Sequence, residues 1–293
     1  MPVAFEQVSF SYDGERDALE NIDLVVDDGE FLGVIGHTGS GKSTLVQLMN
    51  ALLVPTAGRV LVDGMDTRER KLRRKVRTTV GLAFQYSETQ LFANTVAEDV
   101  AFGPRNLDLP DGEVDRRVRE ALERVGMDYA EVAQRSPFDL SGGQQRRVAL
   151  AGILAMEPRV LVLDEPAAGM DPATVSEIRA YLRELNDQGL TIVLVSHSMD
   201  DVAELCSRII VLDHGTLHMQ GTPAELFTAQ NAAELRRINL GVPRATKFAL
   251  ELAERGLEMP DPILDERQLV EALVDLRNET HWTGTSVSFE QKG

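Results

Sequence analysis

The sequence of 293 residues holds one cysteine, Cys206, so no disulfide can form within the chain. That suits a reducing compartment, and Cys206 itself falls in a short apolar helical pattern that reads as core. No stretch approaches eighteen consecutive apolar residues, so the chain is not expected to cross a membrane itself. The first ten residues, MPVAFEQVSF, lack a basic stretch followed by an apolar one, so no signal peptide is expected. Internal repeats and low-complexity tracts are also missing. Positive charge is scarce: 30 Lys and Arg face 47 Asp and Glu, for a net charge of −17. This balance argues against a general nucleic-acid binder, which carries a basic footprint. An acidic solvated surface is the simple reading; a salty environment is the other. The length allows one large α/β domain plus an appendage.

What is present centres on residues 31–44. Phe31 to Ile35 is an apolar run of strand length, and Leu45, Leu48, Met49 and Leu52 recur at helical spacing. Between them stands Gly36-His37-Thr38-Gly39-Ser40-Gly41-Lys42-Ser43-Thr44, the G-x-x-x-x-G-K-S phosphate loop in its strand–loop–helix context. Glycines let backbone N–H groups form a nest for phosphate oxygens, and the helix start adds partial positive charge. Lys42 is placed to reach the β- and γ-phosphates, and the Ser43 hydroxyl to ligate Mg²⁺.

Period-two alternation at Val8, Phe10 and Tyr12, at Ile22, Leu24 and Val26, and at Val60 and Val62 predicts a small antiparallel sheet. Its turns fall at Asp13-Gly14, Asp28-Gly29 and Asp63-Gly64. Tyr12 reads either as an ordinary sheet aromatic or as a platform for adenine. The basic stretch within residues 65–79 reads as a solvated helix face. Gly81 to Gln85 reads as a strand ending in Gln85. Asp111 is expected to cap a helix striped by Val114, Val118, Leu122 and Val125, within a helical insertion of about residues 88–157.

Leu140-Ser141-Gly142-Gly143-Gln144 opens a further helix. A cap needs only Ser141; two glycines and a glutamine beyond it suggest close approach of an anionic ligand. Val160 to Leu163 is a buried-strand pattern ending in Asp164 and Glu165, where α/β sheets place ligands. Asp164 fits the Mg²⁺-positioning acid of phosphate-loop enzymes, and Glu165 could polarise water. Residues 168–172 form a turn before a helix carrying Val175, Ile178, Leu182 and Leu185. Thr191 to Ser196 is another apolar strand, ending at His197, whose imidazole could reach a γ-phosphate. Ile209 to Leu212 and Leu217 to Met219 flank a His214-Gly215 turn as a closing hairpin. Two more helices are expected near 243–255 and 264–277, the second carrying Leu264, Leu269, Leu273 and Leu276, then a polar, frayed tail from Glu279.

The phosphate loop, Gln85, LSGGQ at 140–144, VLVLDE at 160–165, Asp171 and His197, in that order, resemble the ATP-binding cassette (ABC) ATPases over about residues 3–228. The resemblance implies an α/β phosphate-loop domain over residues 1–230. It would have a mostly parallel core sheet, an N-terminal antiparallel β-subdomain and a helical subdomain. It also implies a head-to-tail dimer with ATP between residues 36–44 of one subunit and Ser141–Gln144 of the other. By position, Tyr12 would stack on adenine and Lys42 hold phosphates. Ser43, Gln85 and Asp164 would serve Mg²⁺. Glu165 would be the general base, His197 a γ-phosphate clamp, and Asp171 a contact across the dimer.

More narrowly, GHTGSGKST, FQYSETQLFANTVAEDVAFGPRN, SPFDLSGGQQRRVALAGILAMEP and GVPRATKFALELAERG are similar to the cobalt and energy-coupling-factor importers. Within that group the chain is most similar to the second of two paralogous ATPases, which carries a C-terminal helical extension; residues 231–293 suit it as a docking or dimerisation element. Ser87 replaces the usual proline and Ala167 the usual threonine, and neither change removes a catalytic group. The resemblance implies an ATPase at the cytoplasmic face of the cell membrane. Its expected partners are a second ATPase (itself or a paralogue), a transmembrane coupling protein on about Gln85–Asn106, and membrane proteins that bind vitamins or metal ions such as cobalt and nickel. The nearest rival is the ATPase of a conventional ABC importer. A DNA-repair or chromosome-organising ATPase would need a long coiled coil between Gln85 and Leu140. A ribosome-associated factor would normally hold two cassettes. A non-enzymatic regulatory module would not need both Glu165 and His197.

Overall fold

The structure, a computed structural model, describes residues 2–279. The chain opens with β1 (Val3–Ser11), β2 (Asp17–Val26) and β3 (Phe31–Gly36), then α1 (Lys42–Met49), β4 (Ala57–Val62), β5 (Met65–Asp66), α2 (Arg73–Thr79) and β6 (Val80–Ala83). A helical stretch follows: α3 (Val96–Arg105), α4 (Asp111–Arg124), α5 (Tyr129–Val132) and α6 (Gly142–Leu154). Then come β7 (Val160–Asp164), α7 (Pro172–Asp187), β8 (Thr191–Val195), α8 (Met199–Leu205), β9 (Arg208–Asp213) and β10 (Thr216–Gly221). The chain continues with α9 (Pro223–Leu226), α10 (Ala229–Arg237), α11 (Arg244–Glu254) and α12 (Glu266–Glu279).

The larger sheet has the order β10-β9-β3-β8-β7-β6. All its pairings are parallel except β9 with β10. Its central strands are buried on both faces, and alternate side chains join different cores. Phe31 and Ile35, Leu161 and Leu163, and Ile192 and Leu194 pack with the helical stretch and α7. Leu32 and Val34, Val160 and Val162, and Val193 and Val195 pack with α1 and the second sheet. That second sheet is antiparallel, in the order β2-β1-β4-β5. Its inward residues are those the alternation picked out: Val8, Phe10, Ile22, Leu24, Val26, Val60 and Val62. The parallel strands end at one edge. Gly36, Ser196-His197, Asp164-Glu165 and Phe84-Gln85 therefore line up side by side, about 4.8 Å apart per strand.

Several boundaries differ from expectation. Helix α1 stops at Met49 because Ala51 adopts a left-handed φ of 56°, which leaves Leu52 off the buried face and 43% exposed. Strand β6 stops at Ala83, and Gln85 lies in an exposed turn beyond it, because its pairing with β7, its one neighbour among the described residues, ends at Leu163 with Ala83. Asp111 is the first helical residue of α4 rather than its cap; Pro110 takes that place, and Asp111 instead adds favourable charge to the first turn. The basic stretch is helical only from Arg73, Met65 and Asp66 forming a short strand.

The segment after β10 holds two helices that the sequence patterns did not single out, α9 and α10. Phe227, Leu235, Ile238 and Leu240 belong to the main core, whereas Ala245, Ala249, Ile263 and Ala272 form a separate small one. Helix α10 spans residue 230. Phe227 is fully buried. Phe227→Ala is expected to cost about 3–5 kcal/mol, read as a lowered urea midpoint with an unchanged slope. The tail expected to fray beyond Glu279 lies outside the described residues.

Candidate active site

Strand β3 delivers the chain into the loop 36–44 and α1 takes it up again. The loop bends tightly because Gly39 and Gly41 take left-handed φ values of 83° and 103°. At Gly41 a Cβ would lie 2.7 Å from both Ala18 O and Leu19 Cδ2, so only glycine fits where β2 passes beneath. The loop closes over Lys42, whose Nζ donates to Gly36 O at 2.7 Å and His37 O at 3.0 Å. Burial pushes the Lys42 pKa down, while Glu165 and Asp164 pull it back up. Two further hydroxyls line the loop. Ser43 Oγ lies 3.4 Å from Asp164 Oδ2, and Ser40 Oγ is buried without a hydrogen-bond partner.

Strand β7 carries the acids to the same edge. Asp164 is raised above the usual carboxylate range by burial, against the opposing pull of Ser43 and Lys42. Glu165 follows the strand with a left-handed φ of 53°, its N–H donating to Val195 O at 3.0 Å. That turn sends its carboxylate back toward the loop. Burial, then the neighbouring Asp164 charge, pushes its pKa up to about 7. Its Oε1 is buried and has no hydrogen bond. His197 Nε2 stands 3.5 Å from that oxygen, near enough for charge interaction but not aligned as a hydrogen bond. The His197 ring is about half exposed, and burial, then Lys42, hold its pKa down. Since β8 runs between β3 and β7, His197 sits between the phosphate loop and the acid pair.

A group with these surroundings can take a proton near neutrality. Only ionised Glu165 is basic enough to take a proton from water. The kcat/KM for ATP should therefore fall as pH drops through about 7, and that limb should vanish in Glu165→Gln.

The structure does not gather every sequence-derived residue at this edge. Tyr12 lies just beyond β1, 64% exposed, held edge-on by Phe10 and linked through its hydroxyl to Thr44 Oγ1 at 3.1 Å. It is thus tied to the phosphate loop with an open ring face, as a stacking platform requires. Ser141 caps α6 in a reciprocal arrangement: Gln144 N donates to Ser141 Oγ, and Ser141 N to Gln144 Oε1. Gly142 and Gly143 follow in the first turn; a Cβ added at Gly142 would meet nothing within 4 Å, and one at Gly143 only Thr174 Cγ2 at 3.8 Å. Among the described residues, no hydrogen bond joins this cap to the phosphate loop. Asp171 caps α7, accepting from Ala173 N, Thr174 N and the Thr174 hydroxyl, and Thr174 holds its pKa low.

The ABC transporter family model matches residues 19–168, which run from β2 through the phosphate loop, the Ser141 cap and the acid pair. The chain belongs to this family. Among curated proteins, it is 56% identical to the energy-coupling factor transporter ATP-binding protein EcfA2 of Symbiobacterium thermophilum, covering 93% of this chain and 96% of that one. The same-named protein of Clostridium perfringens is 46% identical, covering 89% and 92%. Among solved structures, cbiO1 of Clostridium perfringens, described as part of the ABC transporter complex cbiONQ, aligns with a TM-score of 0.72 at 38% identity, over 81% of this chain and 94% of that one. The ATP-binding cassette MJ0796, solved as a dimer bound to ADP and Pi, aligns with a TM-score of 0.66 at 31% identity, over 75% and 98%. The described residues include no helix long and apolar enough to cross a membrane.

This ABC ATPase also contains a connection that sequence reasoning missed. Arg146, two residues past Gln144 on α6, grips Glu88 through two nitrogens at 2.8 and 3.0 Å, and donates to Ala168 O at 2.7 Å. Both side chains are mostly buried, and Arg146 holds the Glu88 pKa down. One guanidinium therefore ties the turn after Gln85, the helix after Ser141 and the loop after Glu165 into one unit. An arginine on a basic helix reads as solvated, and its partner lies 58 positions away, so no local signal marked it.

Proposed function

We infer that this ABC ATPase is the ATP-hydrolysing subunit of an energy-coupling factor transporter, powering uptake of vitamins or transition-metal ions through membrane partners. The carrying observation is Glu165. Its carboxylate is mostly buried, unbonded at Oε1 and raised to about 7, on the strand edge beside the phosphate loop. A structural acid at a strand end would have its hydrogen bonds satisfied. A base awaiting water would not.

In the proposed mechanism, loop residues 36–44 cradle the ATP phosphates, with Lys42 supplying charge and Tyr12 stacking on adenine. Glu165 takes the proton of the attacking water, and His197 steadies the γ-phosphate. Ser43 and Asp164 present a hydroxyl and a carboxylate 3.4 Å apart, an all-oxygen pair suited to a hard cation. Mg²⁺ held there with Gln85 would neutralise charge on the phosphates. Among the described residues, Ser141, Gly142, Gly143 and Gln144 make no hydrogen bond to this chain's own phosphate loop. This supports their service to the nucleotide of a second ATPase, itself or a paralogue, with Asp171 at the same seam.

The membrane contact is assigned to about Gln85–Asn106. There Phe92 and Phe102 are 60% and 53% exposed and pack edge-to-face with each other at 5.0 Å. The unit of residues 1–230, with its helical subdomain at about 88–157, would do the chemistry. Residues 231–293 would serve docking or dimerisation. The chain would then sit peripherally at the cytoplasmic face of the membrane. No nucleic-acid role is proposed, given its net charge of −17.

Affinity isolation from native membranes in mild detergent tests this. A second ABC ATPase, one transmembrane scaffold and small membrane proteins are the expected companions, and the small proteins would name the substrates. Two conventional permeases with a solute-binding protein would move the chain to the ordinary importers. DNA or ribosomes without membrane proteins would overturn the transport reading.

A further inference from the structure

The turn between β9 and β10 is fastened to the phosphate loop. Gly215 N donates to Ser40 O at 3.1 Å, and Glu20 N donates to Gly215 O at 2.8 Å. This brings His37, the second residue of the loop, against Asp213 and His214 at the hairpin end. His37 Nε2 lies 3.1 Å from Asp213 Oδ1, and His214 Nε2 lies 3.8 Å from the same oxygen. The two imidazole rings are 4.8 Å apart, and one ligand atom from each of the three residues falls within 4.8 Å of the others. Among the described residues, no other group of three His, Cys, Asp or Glu side chains meets this spacing.

The His37 ring shows a conflict that a cation would resolve. Its Nδ1 sits 2.8 Å from Thr38 O, a carbonyl that can only accept, so Nδ1 carries the proton. A neutral ring then turns the bare lone pair of Nε2 toward a carboxylate oxygen 3.1 Å away. Two lone pairs at that distance repel unless something positive stands between them. Either a second proton or a shared metal ion meets that need. An imidazole whose other nitrogen donates to a backbone carbonyl is the usual form of a metal-bound histidine.

We propose that His37, Asp213 and His214 form a binding site for a divalent transition-metal ion of the Zn²⁺, Co²⁺ or Ni²⁺ class. Two imidazoles and one carboxylate suit borderline ions of this kind and not Mg²⁺. In a tetrahedral site with ligand bonds of about 2.0–2.1 Å, the donor atoms stand roughly 3.3 Å apart. The two measured separations from Asp213 bracket that spacing. His214 is 84% exposed at its side chain, so its ring can turn to close the remaining gap. Three protein ligands leave the fourth position to water. The ion would clamp the hairpin turn onto the loop whose His37 carbonyl holds Lys42. The site shares His37 with the phosphate loop but uses none of Glu165, Asp164 or Ser43, and Co²⁺ binding without nucleotide is read independently of ATP hydrolysis.

The test uses the full, tag-free chain, stripped with chelator and kept without nucleotide at pH 7.5, titrated with Co²⁺ in excess Mg²⁺. The expected result is one Co²⁺ per chain with the strong visible absorption of a low-coordinate, nitrogen-ligated ion, displaced by Zn²⁺. His214→Gln and Asp213→Asn should each weaken Co²⁺ binding by about 10-fold or more, whereas His218→Gln, altering a histidine paired with Glu234 instead, should not. One-to-one binding that survives both the His214 and Asp213 substitutions would overturn the site. So would absence of one-to-one binding in the unsubstituted chain, which would leave the second proton as the answer to the His37 conflict.

Discussion

Glu165→Gln is expected to lower steady ATP hydrolysis by about 10²–10⁴-fold while ATP still binds. The substitution keeps the shape of the side chain and removes its ability to accept a proton. Nothing nearby replaces it. His197 is one titratable group at hand, and burial with the Lys42 charge holds its pKa down. Asp164 is engaged with Ser43 at 3.4 Å. Brisk hydrolysis by the variant would remove Glu165 from the role of base. The same substitution has a second signature, in stability. The folded chain holds the Glu165 pKa at about 7, above its unfolded value of 4.5. The unfolded carboxyl therefore ionises first as pH rises. The folded state loses ground from about pH 4.5 upward, with the full cost reached above about pH 7. Glutamine removes that cost. Glu165→Gln should thus be more stable than the parent by up to about 3 kcal/mol at pH 8, with most of the gain gone by pH 5. An inactive variant that unfolds earlier than the parent at pH 8 would contradict the burial argument.

Lys42→Ala is expected to weaken ATP binding by about 10–100-fold, as one charge-assisted hydrogen bond of roughly 1.5–3 kcal/mol to the phosphates is lost. Hydrolysis at saturating ATP should fall by a further 10²–10³, roughly the loss seen when one preorganised donor is removed from a transition state. Titration with a fluorescent nucleotide separates the two effects. Lys42 also lies beside Asp164 and Glu165 and favours their charged forms. Its removal should move the residual pH profile to higher pH. Wild-type nucleotide affinity in the variant would show that the ammonium serves only Gly36 and His37.

The parts of this molecule that could be read from the sequence are those whose causes are local. The phosphate loop depends on glycines at fixed offsets between a strand and a helix, and the structure has β3 and α1 where the pattern put them. Strands β7 and β8 are short apolar runs ended by polar residues, so their ends could be placed to within one residue. The ends that were misplaced depend on distant partners. Strand β6 stops at Ala83, where its pairing with β7 ends at Leu163, and not where its own apolar residues run out. Helix α1 ends on the left-handed turn at Ala51, which the apolar spacing of Leu52 gave no hint of. Phe227 directly follows the short helix α9 and Leu235 lies in α10, and only the core they fill reveals their purpose. At the site, motif spacing identified Glu165 and His197 one at a time. Their 3.5 Å approach exists only because β8 inserts between β3 and β7. The clamp of Arg146 on Glu88 is the extreme case, a contact between segments 58 residues apart with no pattern of its own.

The cysteine that excluded disulfides at the outset has a practical consequence. Cys206 is 6% exposed, its Sγ packs over Gly33, and burial pushes its thiol pKa up. The thiolate is the reactive form, so this sulfur should be silent toward maleimides. A cysteine introduced on the surface would then be the only one to take a fluorophore or spin label, without first deleting the native one. Placed next to Ser141, such a label could report how closely a second ATPase approaches, and how that gap changes through a cycle of nucleotide binding and release.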